Sequence, residues 1–400
     1  MRKLNKVSYI LAVMCLGGAA HTAVALQQAP LTADAESETS SQSQQYDVIY
    51  AASPASTLAS SNVLLDLQQA DGYRLAVGDW GNVLRQTEIG GDWQKAQVDT
   101  SVLLTAVTSV AEQAWAVGHH GVIIHSSDGG QHWQRQLDGF QLFDLEAAEL
   151  KQRIAHLQSE LEQAAEDDAG DLQFVLEDAQ FLLENIDLAR QESGPVKPLL
   201  DVYAMDAERI FAVGAYNTFL YSADGGRNWQ SIAGRLENSG GFHLNAMTGQ
   251  GDTLFIVGEA GQLFRSDDAG QTWQTLNSPY NGSFFGTHID EQGRWWLYGL
   301  RGHAYVSSDN GDSFLKIATG TDANLSGGLS LATGYTLLVG NSGVMSKVTA
   351  DNSSNPDVIE HSSGSVLTDA LSNDEGFVLV GRNGIQHYRV QNKQLSLIHI

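Results

Sequence analysis

The chain has 400 residues, with 47 acidic against 22 basic side chains and a formal net charge of −25. That balance excludes a nucleic-acid partner, because phosphate binding needs clustered Lys and Arg, and it disfavours anionic membrane surfaces. The single cysteine, Cys15, lies in the N-terminal apolar run, so the rest of the chain has no disulfide, thiolate metal site or cysteine nucleophile.

The chain opens with Arg2, Lys3 and Lys6, an apolar run from Tyr9 to Ala20 and the small-residue site Ala23-Val24-Ala25. This pattern predicts a signal peptide over 1–25, cut after Ala25. The run is too short to span a bilayer comfortably. Met14 stands before Cys15, where a lipoprotein signal needs a small residue. No later stretch is long and apolar enough for a membrane helix, so the expectation is an exported protein, periplasmic or secreted, not inserted in the membrane after signal removal. Loss of the signal takes the formal charge to −28. Such acidity suits solubility in a salty environment, or a surface made for a basic partner. Residues 26–45 are polar, Ser- and Gln-rich and read as a disordered spacer, so the folded part starts near Tyr46 and runs to 400.

From there an apolar run closed by VG-x-x-G recurs: VGDWG at 77, VGHHG at 117, VGEAG at 257, YGLRG at 298, VGNSG at 339 and VGRNG at 380, with VGAYN at 213 as a variant. The spacings are 40, 96, 44, 41, 41 and 41, which is a repeat with one insertion. Within the unit 103–137, LLTAVTSV, AWAVG, VIIHS and WQRQL are four strand-length runs bounded by Gly, Asp or Ser. Four strands per period of about 40 residues predict an all-β fold, a seven-bladed β-propeller. The strand-like segments at 46–52 and at the C-terminus leave two ways of closing the ring. Trp295-Trp296 read as alternating strand residues, one of them buried.

A second signature, S-x-D-x-G-x-(polar)-(W/F), falls after the third run of a unit. Its copies are Ser126, Asp128, Gly130, Trp133; Ser222, Asp224, Gly226, Trp229; Ser266, Asp268, Gly270, Trp273; and Ser307, Asp309, Gly311, Phe314. A degenerate copy spans Gln86 to Trp93. An Asp in a turn accepts backbone N–H groups a few residues on, Gly supplies angles other residues resist, and the aromatic ring plugs between sheets. The spacing does not fit a calcium loop. The turn is therefore structural.

These turns are Asp-boxes (BNR repeats), and the chain resembles the Asp-box propellers, which include sialidases, some glycoside hydrolases and the photosystem II assembly and stability factor family. The sialidase arginine motif is missing, and the large xyloglucan-cleaving hydrolases use two propellers. Over roughly 46–400 the pattern is most similar to the photosystem assembly factor-like family, which has relatives in bacteria that do not photosynthesise; the resemblance is to such a bacterial relative. That resemblance implies a non-enzymatic assembly factor with a protein partner in a membrane or envelope complex. Phototroph members carry a basic patch for their partner, whereas this chain is acidic, so partner identity does not transfer. No catalytic residues, cofactor or metal site is expected.

Residues 140–196 carry the insertion. Leu150, Ile154, Leu157 and Leu161 form one helical stripe, and Leu172, Val175, Ala179, Leu182 and Ile186 a second. DDAGD at 167–171 reads as the turn between them, and Gly194-Pro195 ends the excursion. This helical hairpin is strongly acidic and follows the outer strand of the second blade. It should therefore stand on the face that carries the VG-x-x-G turns, beside a ring of Trp80, His119, His120, Tyr216, Glu259, Arg301, Arg382 and Asn383. Varying residues on repeated glycines are the pattern of a binding face. The expected role is a scaffold for an envelope or membrane complex. Two alternatives share these features: an accessory subunit of a membrane transporter, and a glycan-binding or glycan-hydrolysing propeller with Glu259 as candidate acid. The adjacent His119 and His120 lack a third metal ligand.

Overall fold

The computed structural model describes residues 47–397 apart from 89, 332, 362, 374–375 and 392–393; the signal peptide over 1–25, the spacer over 26–45 and Tyr46 lie outside the described residues. The described chain is a β-propeller of seven antiparallel four-stranded sheets, each built from consecutive strands. They are numbered 1 to 7 in chain order, and their first strands are Leu64–Ala70, Leu104–Val110, Leu199–Ala204, Leu244–Gln250, Phe284–Ile289, Leu325–Ser330 and Leu367–Asn373. Sheet 2 shows the unit: Leu104–Val110, Gln113–Gly118, Ile123–Ser126 and Gln134–Leu137.

Seven apolar clusters fill the seven seams between neighbouring sheets, the last joining Val378 and Val380 of sheet 7 to Leu64, Ala76 and Leu84 of sheet 1. Second strands are therefore covered on both sides. Sheet 5 shows the consequence: Trp295 packs into the seam with sheet 4 and Trp296 into the seam with sheet 6, so both are buried rather than one.

Among the described residues, closure uses no exchanged strand. Sheet 7 is completed by Gln394–Leu397 as its outer strand. It meets sheet 1 through Leu67 N donating to Asp369 Oδ2 (3.1 Å), Thr368 Oγ1 to Leu64 O (3.0 Å) and Ile385 N to Ser60 O (2.8 Å). The apolar segment after Tyr46 forms a turn instead of a strand. It buries Ile49 in the seam between sheets 1 and 2, and its backbone is held by Ser101 N on Val48 O and Arg135 Nη1 on Ile49 O, each at 2.8 Å.

The repeated VG has a steric cause. A Cβ on Gly78 would lie 2.2 Å from Val63 O, and one on Gly118 2.3 Å from Leu103 O. The residue after each glycine donates its N–H to that same carbonyl, as Asp79 does to Val63 O (3.0 Å) and His119 to Leu103 O (2.9 Å). Each second strand is thereby tied to the chain entering its own first strand.

The eight-residue turns sit between third and fourth strands. Ser266 Oγ accepts Gly270 N at 2.8 Å and donates to Asp268 Oδ1 at 2.8 Å; Asp268 in turn accepts Thr272 N (2.9 Å) and Thr272 Oγ1 (2.7 Å). The copies at Ser126, Ser222 and Ser307 repeat the Ser–Asp–Gly bonds. The Thr272 hydroxyl and N–H hold the Asp268 carboxyl down at about 2, and Ser313 does the same for Asp309. Trp133, Trp229, Trp273 and Phe314 each pack into the seam with the preceding sheet.

Two helices stand between sheets 2 and 3, α1 (Gly139–Leu161) and α2 (Glu166–Glu192). DDAGD does not turn the chain; it lies within the start of α2, and the break falls at 162–165. Acidic residues are favoured in a first helical turn, so this stretch suits a helix start better than a stop. The second stripe also shifts: Leu183 joins Leu172, Val175, Ala179 and Ile186 against α1, while Leu182 is exposed.

Candidate functional site: the turn face, the hairpin and the channel

In sheets 1 to 6 the turn after the VG reverses the chain in two residues. Around Trp80 (φ 58°) and Gly81 (φ 64°) both central residues are left-handed, which is a type I′ turn. His120 (φ 59°), Tyr216 (φ 56°), Ala260 (φ 52°), Arg301 (φ 56°) and Ser342 (φ 60°) occupy the same position. The variant VGAYN keeps this geometry because Asn217 (φ 60°) takes the glycine's place. A left-handed residue other than Gly or Asn costs about 1–2 kcal/mol. Four sheets nevertheless hold Trp, His, Tyr or Arg there. Trp80 is 53% exposed and Tyr216 62% exposed, so the strain is not offset by burial.

The structure links some of the ring residues and separates others. Tyr216 meets the His243 ring edge-on (centroids 4.8 Å apart), its N–H donates to His243 Nδ1 (3.1 Å), and His243 Nδ1 stands 3.7 Å from Glu259 Oε2. Tyr216 and Glu259 therefore form one cluster across sheets 3 and 4. Arg301 N donates to Asn324 Oδ1 (2.9 Å) of the crossover into sheet 6. Asn383 Nδ2 donates to Ser365 Oγ (2.9 Å), and Arg382 N to Val366 O (3.1 Å), within sheet 7. His119 and His120 have ring centroids 6.5 Å apart. His119 is held below the usual imidazole value by burial and then by His120. His120 Nδ1 lies 2.9 Å from Pro195 O, where α2 returns to the propeller, so this histidine is a strut. His243 and Asn324 escaped the sequence reading; both immediately precede a first strand, a position that is apolar in sheets 1, 2, 3 and 7.

The hairpin is fixed to this face at its base. Asp138 caps α1, accepting Phe140 N (3.0 Å) and Gln141 N (3.2 Å), while Gln141 Oε1 accepts Asp138 N (3.0 Å). Glu146 is buried, yet Lys197 Nζ reaches its two oxygens at 2.9 and 2.8 Å and Thr218 Oγ1 donates at 3.3 Å. Glu149 accepts Gly234 N (2.6 Å) and Ser231 Oγ at the outer edge of sheet 3. Further along, Leu157 packs with Leu176 and Ala179 in a core of the hairpin's own.

The first strands surround a central cavity of about 630 Å³. Asp66, Asp201 and Asp369 occupy the third position of their strands there, in LLDLQ, LLDVY and LTDAL. Asp66 Oδ2 accepts Val107 N (2.7 Å) and Asp201 Oδ2 accepts Met247 N (2.7 Å), so each carboxyl staples its sheet to the next, as Asp369 does to sheet 1. The side chains keep a little exposure to the cavity, but the ring of sheets encloses them. Burial pushes the Asp66 carboxyl up to about 6 and Asp201 to about 7. Asp369 is raised well above the usual carboxylate range by burial and by neighbouring Asp66. Burial likewise holds His288 on the same wall down at about 4.

A family model described as photosynthesis system II assembly factor YCF48 matches residues 184–281, which contain sheets 3 and 4 and two of the eight-residue turns. The chain is similar in fold to the solved structure of YCF48 bound to D1 peptide, at 14% identity and TM-score 0.55, covering 82% of this chain and 92% of that one. It is similar also to YCF48 from Cyanidioschyzon merolae (13% identity, TM-score 0.54, 84% and 96% covered). The WD40 β-propeller domain of Doa1 gives 10% identity and TM-score 0.53, with 84% and 94% covered. No curated protein sequence matches the chain. The chain is thus an Asp-box β-propeller resembling the photosystem II assembly factor.

Proposed function

We propose that the chain is an exported, non-catalytic, seven-bladed Asp-box propeller that scaffolds a membrane or envelope protein complex. It presents the VG-x-x-G turns and the hairpin beside them to a protein partner. The observation that carries this reading is the set of large side chains held left-handed at exposed turn tips, Trp80 and Tyr216 above all. Such strain persists where function retains it. The similarity to a YCF48 that binds a D1 peptide supports a protein ligand for this fold. Glu259 stands 3.7 Å from His243 Nδ1 in the turn cluster, on the same exposed face.

The test is a crosslinking pull-down from the native envelope with the full chain and with 140–196 replaced by a short Gly-Ser loop. A membrane-protein partner captured by the full chain and lost with the loop supports the scaffold. No partner with either chain, in an envelope shown to contain the protein, overturns it.

A further inference from the structure

The second helix of the hairpin has two apolar faces, and only one is used. Leu172, Val175, Leu176, Ala179, Leu183 and Ile186 pack against α1. Phe174, Phe181 and Leu188 do not: they are 73%, 60% and 50% exposed. Their spacing of seven residues makes one straight row, drifting only about 20° per step, on the side of α2 away from α1. At about 1.5 Å per residue the row is roughly 21 Å long. Scattered exposed apolar residues are ordinary, but an aligned row of three large ones marks an interaction surface.

Carboxylates border the row on both sides. Helical geometry places Asp171 and Asp178 along one edge and Glu177 and Glu184 along the other. Among the described residues none of the four is ion-paired; Glu177 takes only a hydrogen bond from Gln173 Nε2 (2.8 Å). A second copy would bring the same carboxylates against these, and like charges repel. An anionic lipid surface fails for the same reason.

We propose that this face of α2 docks a basic amphipathic helix of a partner protein, with apolar residues at seven-residue spacing flanked by Lys or Arg. The proposal rests on the reading of the chain as a protein-binding scaffold and names the chemistry of the partner. It is helix-on-helix recognition in which the apolar row supplies contact and the two acidic edges set partner and register.

The probe is a 21-residue helical peptide with Leu at heptad spacing flanked by Lys, tested by fluorescence anisotropy on the full chain. Its control is a scrambled peptide of the same composition. The protein variant is Phe174→Ser/Phe181→Ser, which alters exposed side chains only and leaves the packing against α1 intact. The peptide should bind, and about tenfold more weakly to the variant. The scrambled peptide should bind about as poorly as the ordered one does to the variant. Raising salt to 0.5 M should weaken binding several-fold. Equal binding to wild type and variant, equal binding of the scrambled peptide, or none at all overturns the proposal. So does a wild-type dimer in sedimentation, or binding to phosphatidylcholine vesicles, that the variant abolishes. Failure here with the envelope partner still captured removes the docking strip alone. Peptide binding with no envelope partner removes the scaffold reading and keeps the strip.

Discussion

Asp201→Asn should flatten the pH dependence of folding stability. The Asp201 carboxyl sits at about 7 because burial in the channel disfavours its charge, against about 3.9 in an unfolded chain. The native state therefore binds the proton more tightly. This group's contribution is fullest below about pH 4 and is lost as pH rises toward 7 and beyond. Between pH 5 and pH 8 linkage gives a loss of about 2–3 kcal/mol from this one carboxyl. An asparagine oxygen can still accept Met247 N, now at 2.7 Å from Asp201 Oδ2, and carries no charge at any pH. Urea unfolding at pH 5, 6, 7 and 8, followed by far- and near-UV circular dichroism to check two-state behaviour, gives the stabilities. The difference between variant and wild type should shift in the variant's favour by about 2–3 kcal/mol from pH 5 to pH 8. A difference constant across that range would refute the argument that the channel is poor enough in water to raise this group.

The turns and seams support further predictions. Ser266→Ala leaves the buried Gly270 N–H without its acceptor and should cost about 1–3 kcal/mol by urea denaturation. Trp133→Ala empties the seam between sheets 1 and 2 and should cost about 3–5 kcal/mol, read as a lowered midpoint. Gly78→Ala pushes a methyl into Val63 O and should abolish soluble expression, whereas Gly72→Ala, which meets nothing within 4 Å, should stay soluble with only the strain of its left-handed backbone. Trp80→Gly should raise stability by about 1 kcal/mol by relieving a left-handed residue, while reducing capture of the partner in the pull-down.

Much of the frame could be read from the chain because its repeats answer to backbone geometry. A VG that must touch a carbonyl, and a Ser-Asp pair that must cap a turn, tolerate few other residues. Side-chain direction was less legible. Alternation suggested one buried tryptophan at 295–296, but a strand between two seams buries both. The stripe through Leu182 was off by one because α2 carries apolar residues on two faces, and periodicity alone does not say which meets α1. The channel carboxylates are not legible as a group although Leu-x-Asp opens three first strands, since only the closed ring brings them to one cavity. His243 joined the turn cluster through the crossover into sheet 4, a contact between segments 27 residues apart that no local pattern signals.

The central claim is that one face of the ring binds a protein. The most direct measurement is in-cell photocrosslinking with benzoylphenylalanine placed at Trp80 or Tyr216 on the turn face, and at Gln131 or Asn228 on the Asp-box face. Adducts to one protein from positions 80 and 216, with none from 131 and 228, are the predicted result. Adducts from the Asp-box positions alone, or from all four alike, would contradict it.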